Sequence, residues 1–239
     1  MSILSDVVAD LSALIFPPQC EVCGRKLSEG VSSFCMRCRM EAPLTGFAQM
    51  PDNPLYRDFW GQLPVVHASA LLYYSPDSQW REVIHGFKYR GRWRRAVELG
   101  EWYGEELRRS GWYNDVDVVI PIPLHPIKRI LRGYNQSEYI AEGICRSLGV
   151  KLDRGSVIRH SYNRSQTQKS HQERWEGVEG IFSVRDVEAL RGKHILLVDD
   201  VITTGATVIS CAEAILKAVP DVRLSIGALA VTQHHRKPH

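Results

Sequence analysis

From Val116 onward, short apolar runs alternate with segments whose apolar residues recur every three or four positions. The runs "VDVVIPIPL" (116–124), "VIRHS" (157–161), "GIFSV" (180–184), "HILLV" (194–198) and "RLSIGALAV" (223–231) read as strands. Between them, "NQSEYIAEGICRSLG" (135–149) reads as a helix ended by Gly149, and "TVISCAEAILKAV" (207–219) as another. Upstream, "VVHASALLYY" (65–74) is a strand, Trp80, Val83, Ile84 and Phe87 share one helix face, and a further helix spans about Arg94 to Arg109. Residues 40 to 64 hold four prolines and little periodicity, which reads as a linker or irregular cover. At the start, Ile3, Leu4, Val7, Val8, Leu11, Leu14 and Ile15 recur at helical spacing.

Short apolar strands joined by helical crossovers imply an α/β fold with a doubly wound, mainly parallel sheet. The expected division is an N-terminal helix and cysteine module over 1–45, a linker over 46–64 and the α/β domain over 65–239.

Composition changes this picture little. Of 239 residues, 44% are apolar and 24% charged, the balance of a soluble globular chain. The net charge of +3 is too small to argue for nucleic acid; a local cluster such as "KYRGRWRR" (88–95) matters more. The N-terminus has no basic region before its apolar stretch and carries Asp6 and Asp10, so no secretory signal is expected. That stretch is also shorter than the ~20 residues that span a bilayer. A cytoplasmic protein without a membrane span is the expectation.

Cysteines add a second feature. Four of the six lie in "CEVCGRKLSEGVSSFCMRC", spaced C-x2-C-x11-C-x2-C: Cys20, Cys23, Cys35 and Cys38. Each pair forms a tight turn that points two sulfurs at one ion, and four thiolates suit tetrahedral Zn2+ in a closed, structural site. Two disulfides or four free thiols are the competing readings, and a cytosolic setting disfavours the disulfides. Gly24 fits the positive φ of such a knuckle. Arg25, Lys26, Arg37 and Arg39 could line a basic face, but a solvated surface is the preferred reading. Cys145 and Cys211 fall in apolar helical patterns and read as buried and reduced.

The stretch "ILLVDDVITTGAT" (195–207) carries the chemistry. An apolar strand ends at Val198, two carboxylates follow, and a small-residue loop leads into a helix near Thr207. Backbone N–H groups at such a helix start cradle an anion, and the hydroxyls of Thr203, Thr204 and Thr207 add donors. Gly205 and Ala206 leave room for close approach. Asp199 and Asp200 suit vicinal hydroxyls, each carboxylate accepting from a cis-diol, and could keep a Mg2+ ion nearby. A diol reader beside a monophosphate cradle describes ribose 5-phosphate. The Walker pattern is absent, and a generic capped strand–turn–helix is the bland alternative.

The same stretch resembles the phosphoribosyl-pyrophosphate (PRPP) motif of type I phosphoribosyltransferases. With the cysteine pairs, "HGFKYRGR", "IPIPLHPIKRILRGYNQSEYIA" and "RSQTQKSHQERWEGV", the chain from about Phe16 to Gln233 resembles the ComF (competence, GntX-like) family. That resemblance implies a type I phosphoribosyltransferase fold behind a four-cysteine zinc module. It places Thr203–Thr207 on the 5-phosphate and Asp199 and Asp200 on the ribose hydroxyls. Lys128 and Arg132 would face the pyrophosphate, with Lys169 and Arg174 brought by a mobile lid over 161–182. Lys88 would reach over the site, Arg129 would add positive charge beside Lys128 and Arg132, Mg2+ would accompany PRPP, and His125, Asn135 and Gln136 would add polar contacts. The activity implied is transfer of phosphoribosyl from PRPP to an unassigned acceptor. The competing reading is a non-catalytic module with single-stranded DNA and a DNA-uptake helicase as partners. A likeness to glutamine amidophosphoribosyltransferase also exists, but without an amidohydrolase domain glutamine chemistry is not expected.

Overall fold

The computed structural model describes residues 18–28, 32–87, 93–160 and 180–232. In chain order these form helix α1 (Met36–Met40), a 3-10 turn (Phe47–Gln49), α2 (Pro54–Phe59), β1 (Val65–Tyr74), α3 (Gln79–Gly86) and α4 (Trp93–Ser110). There follow β2 (Val118–Pro121), α5 (Pro126–Arg132), α6 (Gln136–Leu148), β3 (Lys151–Leu152), β4 (Val157–Arg159), β5 (Phe182–Val184), β6 (His194–Ile202), α7 (Ala206–Ala218) and β7 (Arg223–Thr232).

Five strands make one sheet in the order β1-β7-β6-β2-β3, every neighbouring pair parallel. The expected doubly wound architecture is therefore present. Both faces are buried, as a parallel sheet requires. On one face Ile195, Leu197, Ile226 and Ala228 pack with Val208, Ala212 and Ile215 of α7 and with Leu55 and Phe59 of α2. On the other, Leu196, Val198, Val119 and Leu229 pack with Leu99, Tyr103 and Leu107 of α4 and with Ile140 and Ile144 of α6.

Local chemistry sets the ends of α6. Asn135 caps it, accepting from the Ser137 amide at 3.2 Å, and Gly149 closes it at φ 72°. Its flank is fixed by two glycines: a Cβ on Gly143 would lie 2.1 Å from the Val97 carbonyl oxygen, and one on Gly100 2.2 Å from that of Ile140. The backbones of α4 and α6 are thus in direct contact.

Several expectations need correction. β6 does not stop at Val198 but runs to Ile202, because β7 continues to pair with it from Asp199↔Ala228 to Ile202↔Val231. "VIRHS" and "GIFSV" yield the short strands β4 and β5, which form a separate antiparallel pair outside the parallel sheet. "HPIKRILR", between the expected strand 116–124 and the expected helix 135–149, contains a further helix, α5, with Pro126 in its first turn and Gly133 ending it at φ 79°. Residues 46–64 contain α2, whose Leu55 and Phe59 are core side chains. The N-terminal helix, Lys88, the lid with Arg164, Lys169 and Arg174, and the tail lie outside the described residues.

Candidate functional site

Chain order around the sheet decides where a ligand can sit. β2 leads outward to β3, whereas β6 lies on β2's other side. After β2 the chain leaves to the face of α6, and after β6 to the face of α7. The two connections diverge at the C-terminal ends of β2 and β6, which opens the crevice where doubly wound sheets bind ligands.

The predicted doublet lies there. Asp199 Oδ1 accepts from the Ser137 hydroxyl at 3.2 Å and from the Asp200 amide at 2.8 Å, and Asp200 Oδ1 accepts from the Val201 amide at 2.8 Å. Both carboxylates are half-buried. Below them Cys211 is buried, and burial followed by the nearby Asp199 charge pushes its thiol up, which keeps it inert.

The turn Thr203–Gly205 then delivers the chain into α7. Gly205 sits at φ 75°, and a Cβ there would lie 3.2 Å from Cε1 of Phe59. The positive φ favours glycine, and a Cβ there would press on the Phe59 ring. Thr203, Thr204, Ala206 and Thr207 are exposed, and the Ala206 amide donates to Thr204 Oγ1 over a long 3.4 Å. Residues Asp199 and Val201–Val208 line a depression of about 40 Å³. The positive end of the α7 dipole faces it, and α7 brings no acidic residue to its first turn. The structure therefore brings Asp199, Thr203, Thr204, Gly205, Ala206 and Thr207 together, with Asp200 adjacent in the chain.

Lys128 and Arg132 sit on α5, in the β2-to-α6 connection on the same side of the sheet. No residue of α5 is buried: Ile127, Ile130 and Leu131 are 58%, 82% and 80% exposed. Two polar side-chain ties join α5 to α6. Arg129 pairs with Glu138 at 3.2 Å, and Arg132 Nη1 donates to Gln136 Oε1 at 3.2 Å. An exposed ion pair contributes ~0–1 kcal/mol and a hydrogen bond ~1 kcal/mol, so α5 is weakly held. Asn135, expected to meet a ligand, is instead spent on structure: Nδ2 donates to the Ile122 carbonyl at 2.9 Å while Oδ1 caps α6.

Sequence reading missed Ser137 and Glu138; their place in the first turn after a capping asparagine was the available signal. The basic and aromatic stretch that holds Trp93 and Arg94 was legible, but Tyr134 and Tyr139, which join it in a cluster at the start of α6, were not. Trp93 stacks on Tyr139 with centroids 5.3 Å apart, Tyr134 meets Tyr139 edge-on at 5.5 Å, and Arg94 lies 5.3 Å over Trp93.

The four cysteines also converge. Their sulfurs all lie within 4.8 Å of one another, and Cys23 and Cys35 are 3.8 Å apart. Four sulfurs ~2.3 Å from a tetrahedral ion stand about 3.8 Å from each other, so the cluster fits a metal ion. Gly24 has φ 69°, and its amide donates to the Cys20 carbonyl at 2.8 Å, closing the first knuckle. Burial opposes ionisation of Cys20, yet the amides of Cys35, Cys23 and Val22 and the Cys23 thiol bring it down to about 6. Burial and hydrogen bonds from its three neighbours push Cys38 up. Without a cation such a group cannot hold four thiolates; with one it can. The module is fastened to α4: the Ser33 amide donates to both Glu98 oxygens at 3.1 and 3.0 Å, Arg95 pairs with Glu21, and Arg39 lies 4.8 Å over Trp102.

Comparison with known proteins agrees with this geometry. Residues 135–239 match the phosphoribosyl transferase domain family. With the parallel sheet and the turn at its switch point, that match defines a domain of the type I phosphoribosyltransferase class. More particularly, the chain is similar to DNA utilization protein YhgH of Salmonella typhimurium, 26% identical over 201 residues, covering 83% of this chain and 84% of that one. It is also similar to competence protein ComFC of Bacillus subtilis, 29% identical over 204 residues, covering 83% and 78%. The chain is thus similar to competence and DNA-utilization proteins, as its motifs suggested, and carries a phosphoribosyltransferase-type fold behind a four-cysteine cluster. The B. subtilis glutamine PRPP amidotransferase structure aligns over 55% of this chain and 25% of that one at 23% identity and TM-score 0.39, a likeness too loose to bear weight.

Proposed function

We propose that the protein binds a phosphorylated pentose, PRPP or ribose 5-phosphate, and transfers phosphoribosyl with release of pyrophosphate. The observation that carries this reading is the open Asp199–Thr207 turn at the divergence of β2 and β6. Thr203–Thr207 take the 5-phosphate on backbone N–H groups and hydroxyls. Asp199 and Asp200 accept from the ribose hydroxyls, and Ser137 fixes the orientation of Asp199. Lys128 and Arg132 are assigned to the pyrophosphate, and Lys169, Arg174 and Lys88 are assigned to it from the sequence alone. Mg2+ bound with PRPP would be kept near Asp199 and Asp200 and would spread the charge of the phosphate oxygens. The acceptor stays unassigned. Departure of pyrophosphate leaves positive charge on the anomeric carbon, so the protein's task is orientation and stabilisation of separated charge. Zn2+ is the ion proposed for Cys20, Cys23, Cys35 and Cys38, as a structural element.

The second reading is a single-stranded-DNA-handling module in DNA uptake, with a helicase as partner. The stacked Trp93 and Tyr139 beneath Arg94 favour it, since aromatic faces flanked by arginine suit bases and phosphates. The names of the YhgH and ComFC relatives point the same way.

Titration of the purified protein with PRPP plus Mg2+, with ribose 5-phosphate and with short single-stranded DNA separates the two. The Asp199→Asn/Asp200→Asn variant is expected to lose sugar-phosphate affinity by about 100-fold, two or more charged hydrogen bonds being removed, while sparing DNA. Unchanged PRPP affinity in that variant would sink the first reading. Pyrophosphate release across a panel of nucleobases and amines tests turnover.

A further inference from the structure

Of the elements around the crevice, α5 is the one without a buried residue. Its apolar side chains Ile127, Ile130 and Leu131 share one side, and Lys128, Arg129 and Arg132 fall on the other. The chain enters it through His125 and Pro126 and leaves through Gly133 at φ 79°, so both ends are turns. What joins it to α6 is the pair of polar rungs Arg129–Glu138 and Arg132–Gln136.

The α6 side of those rungs is the fixed side. Glu138 lies in the first turn of α6, its amide on the Asn135 carbonyl at 3.2 Å, where the helix dipole favours a carboxylate. Its side chain is 14% exposed against 58% for Arg129. Gln136 is 1% exposed. Its Oε1 is committed to Arg132, while its Nε2 has no partner among the described residues. The amide is therefore half-satisfied as it stands, an arrangement that rarely persists unless another group completes it.

We infer that Glu138 and Gln136 are resident competitors for the two arginines of α5, and that Glu138 thereby sets the site's preference between pentoses with one phosphate and pentoses with a second anionic group. This rests on the sugar-phosphate reading above. A monophosphate seated on Thr203–Thr207 leaves α5 alone. A pyrophosphate that draws Arg129 and Arg132 toward itself takes them from a carboxylate and an amide. Binding of the doubly charged end carries that cost, and binding of the 5-phosphate does not. Glu138 is a positioning residue here, acting through Arg129 rather than on the ligand.

The test is calorimetric titration of wild type, Glu138→Gln, Arg129→Gln and the double variant with Mg2+-PRPP, Mg2+-pyrophosphate and ribose 5-phosphate. Glu138→Gln is expected to tighten PRPP and pyrophosphate by about threefold to fivefold, the scale of one exposed ion pair, with ribose 5-phosphate unchanged. In the Arg129→Gln background that gain should vanish. Equal tightening of all three ligands, persistence of the gain without Arg129, or an unchanged PRPP affinity would each overturn the inference. If wild type binds no ribose 5-phosphate, the underlying reading fails first, and that outcome is distinct. Should Glu138→Gln not fold, Glu138→Asp, one methylene shorter, should give the same selective change.

Discussion

The two ends of β6 treat polar side chains in opposite ways. At its start, His194 is buried with both ring nitrogens engaged: Nδ1 lies 3.0 Å from Asp115 and Nε2 2.8 Å from Ser225, itself fully buried. Arg223 closes the group from the other side of Asp115 at 2.7 Å. A serine, a histidine and an aspartate in a row suggest hydrolytic chemistry, but a serine with no exposed surface meets no substrate. At the end of β6, Asp199 and Asp200 stay half-buried, the threonines stay exposed, and donors of the α7 turn face solvent. The contrast teaches that a constellation of reactive types is not yet a site. What separates binding from scaffolding is whether the polar groups complete each other or leave work for a ligand.

Three experiments sharpen that contrast, in descending size. His194→Ala strands the Ser225 hydroxyl and opens a cavity, so it should cost about 2–4 kcal/mol in chemical denaturation and leave ribose 5-phosphate affinity unaltered. A weakened ligand without lost stability would make the lower network functional after all. Gly205→Val forces a β-branched residue to φ 75° against Phe59, and should lower ribose 5-phosphate affinity by about 10- to 100-fold through displaced donors. An unchanged affinity would show that the turn is not the cradle.

The smallest effect concerns pH. Burial lowers the His194 pKa below its ordinary 6.5, against the pull of Asp115, so the native state resists protonation. The unfolded chain then binds more protons as pH falls through 6.5, and stability should decline from there to the lower native value. His67, depressed by burial and by the neighbouring His194, contributes in the same direction. In His194→Ala this slope should shrink while the pH dependence of ligand binding stays. Midpoints measured from pH 7.5 to 5 decide it, and a slope identical to wild type would remove His194 from the account.

How much of this was legible in the sequence follows from the range of the forces involved. The cysteine pairs and the doublet with its threonine turn are local patterns, and the structure brings each together. The parallel sheet was legible from apolar runs and crossovers. Pairing partners were not: an apolar run such as "GIFSV" does not say whether its neighbour is parallel, and β5 pairs antiparallel with β4. The extra length of β6 is supplied by β7, and the burial of Leu55 and Phe59 by α7 and the sheet, neither visible in a proline-rich stretch. By contrast, α5 carried a readable proline start and glycine stop that the apolar pattern overshadowed. His194, Asp115 and Ser225 meet only because strand register aligns distant positions.

The backbone contact between Gly100 and Gly143 has a mechanical consequence. Two helices that touch main chain to main chain cannot slide without collision, so α4 and α6 must move as one lever. One arm of that lever carries the cysteine cluster through Glu98 and Arg95, and the other ends at Ser137 beside Asp199. The cysteine cluster and the carboxylate are therefore attached to the two ends of one closely packed helix pair.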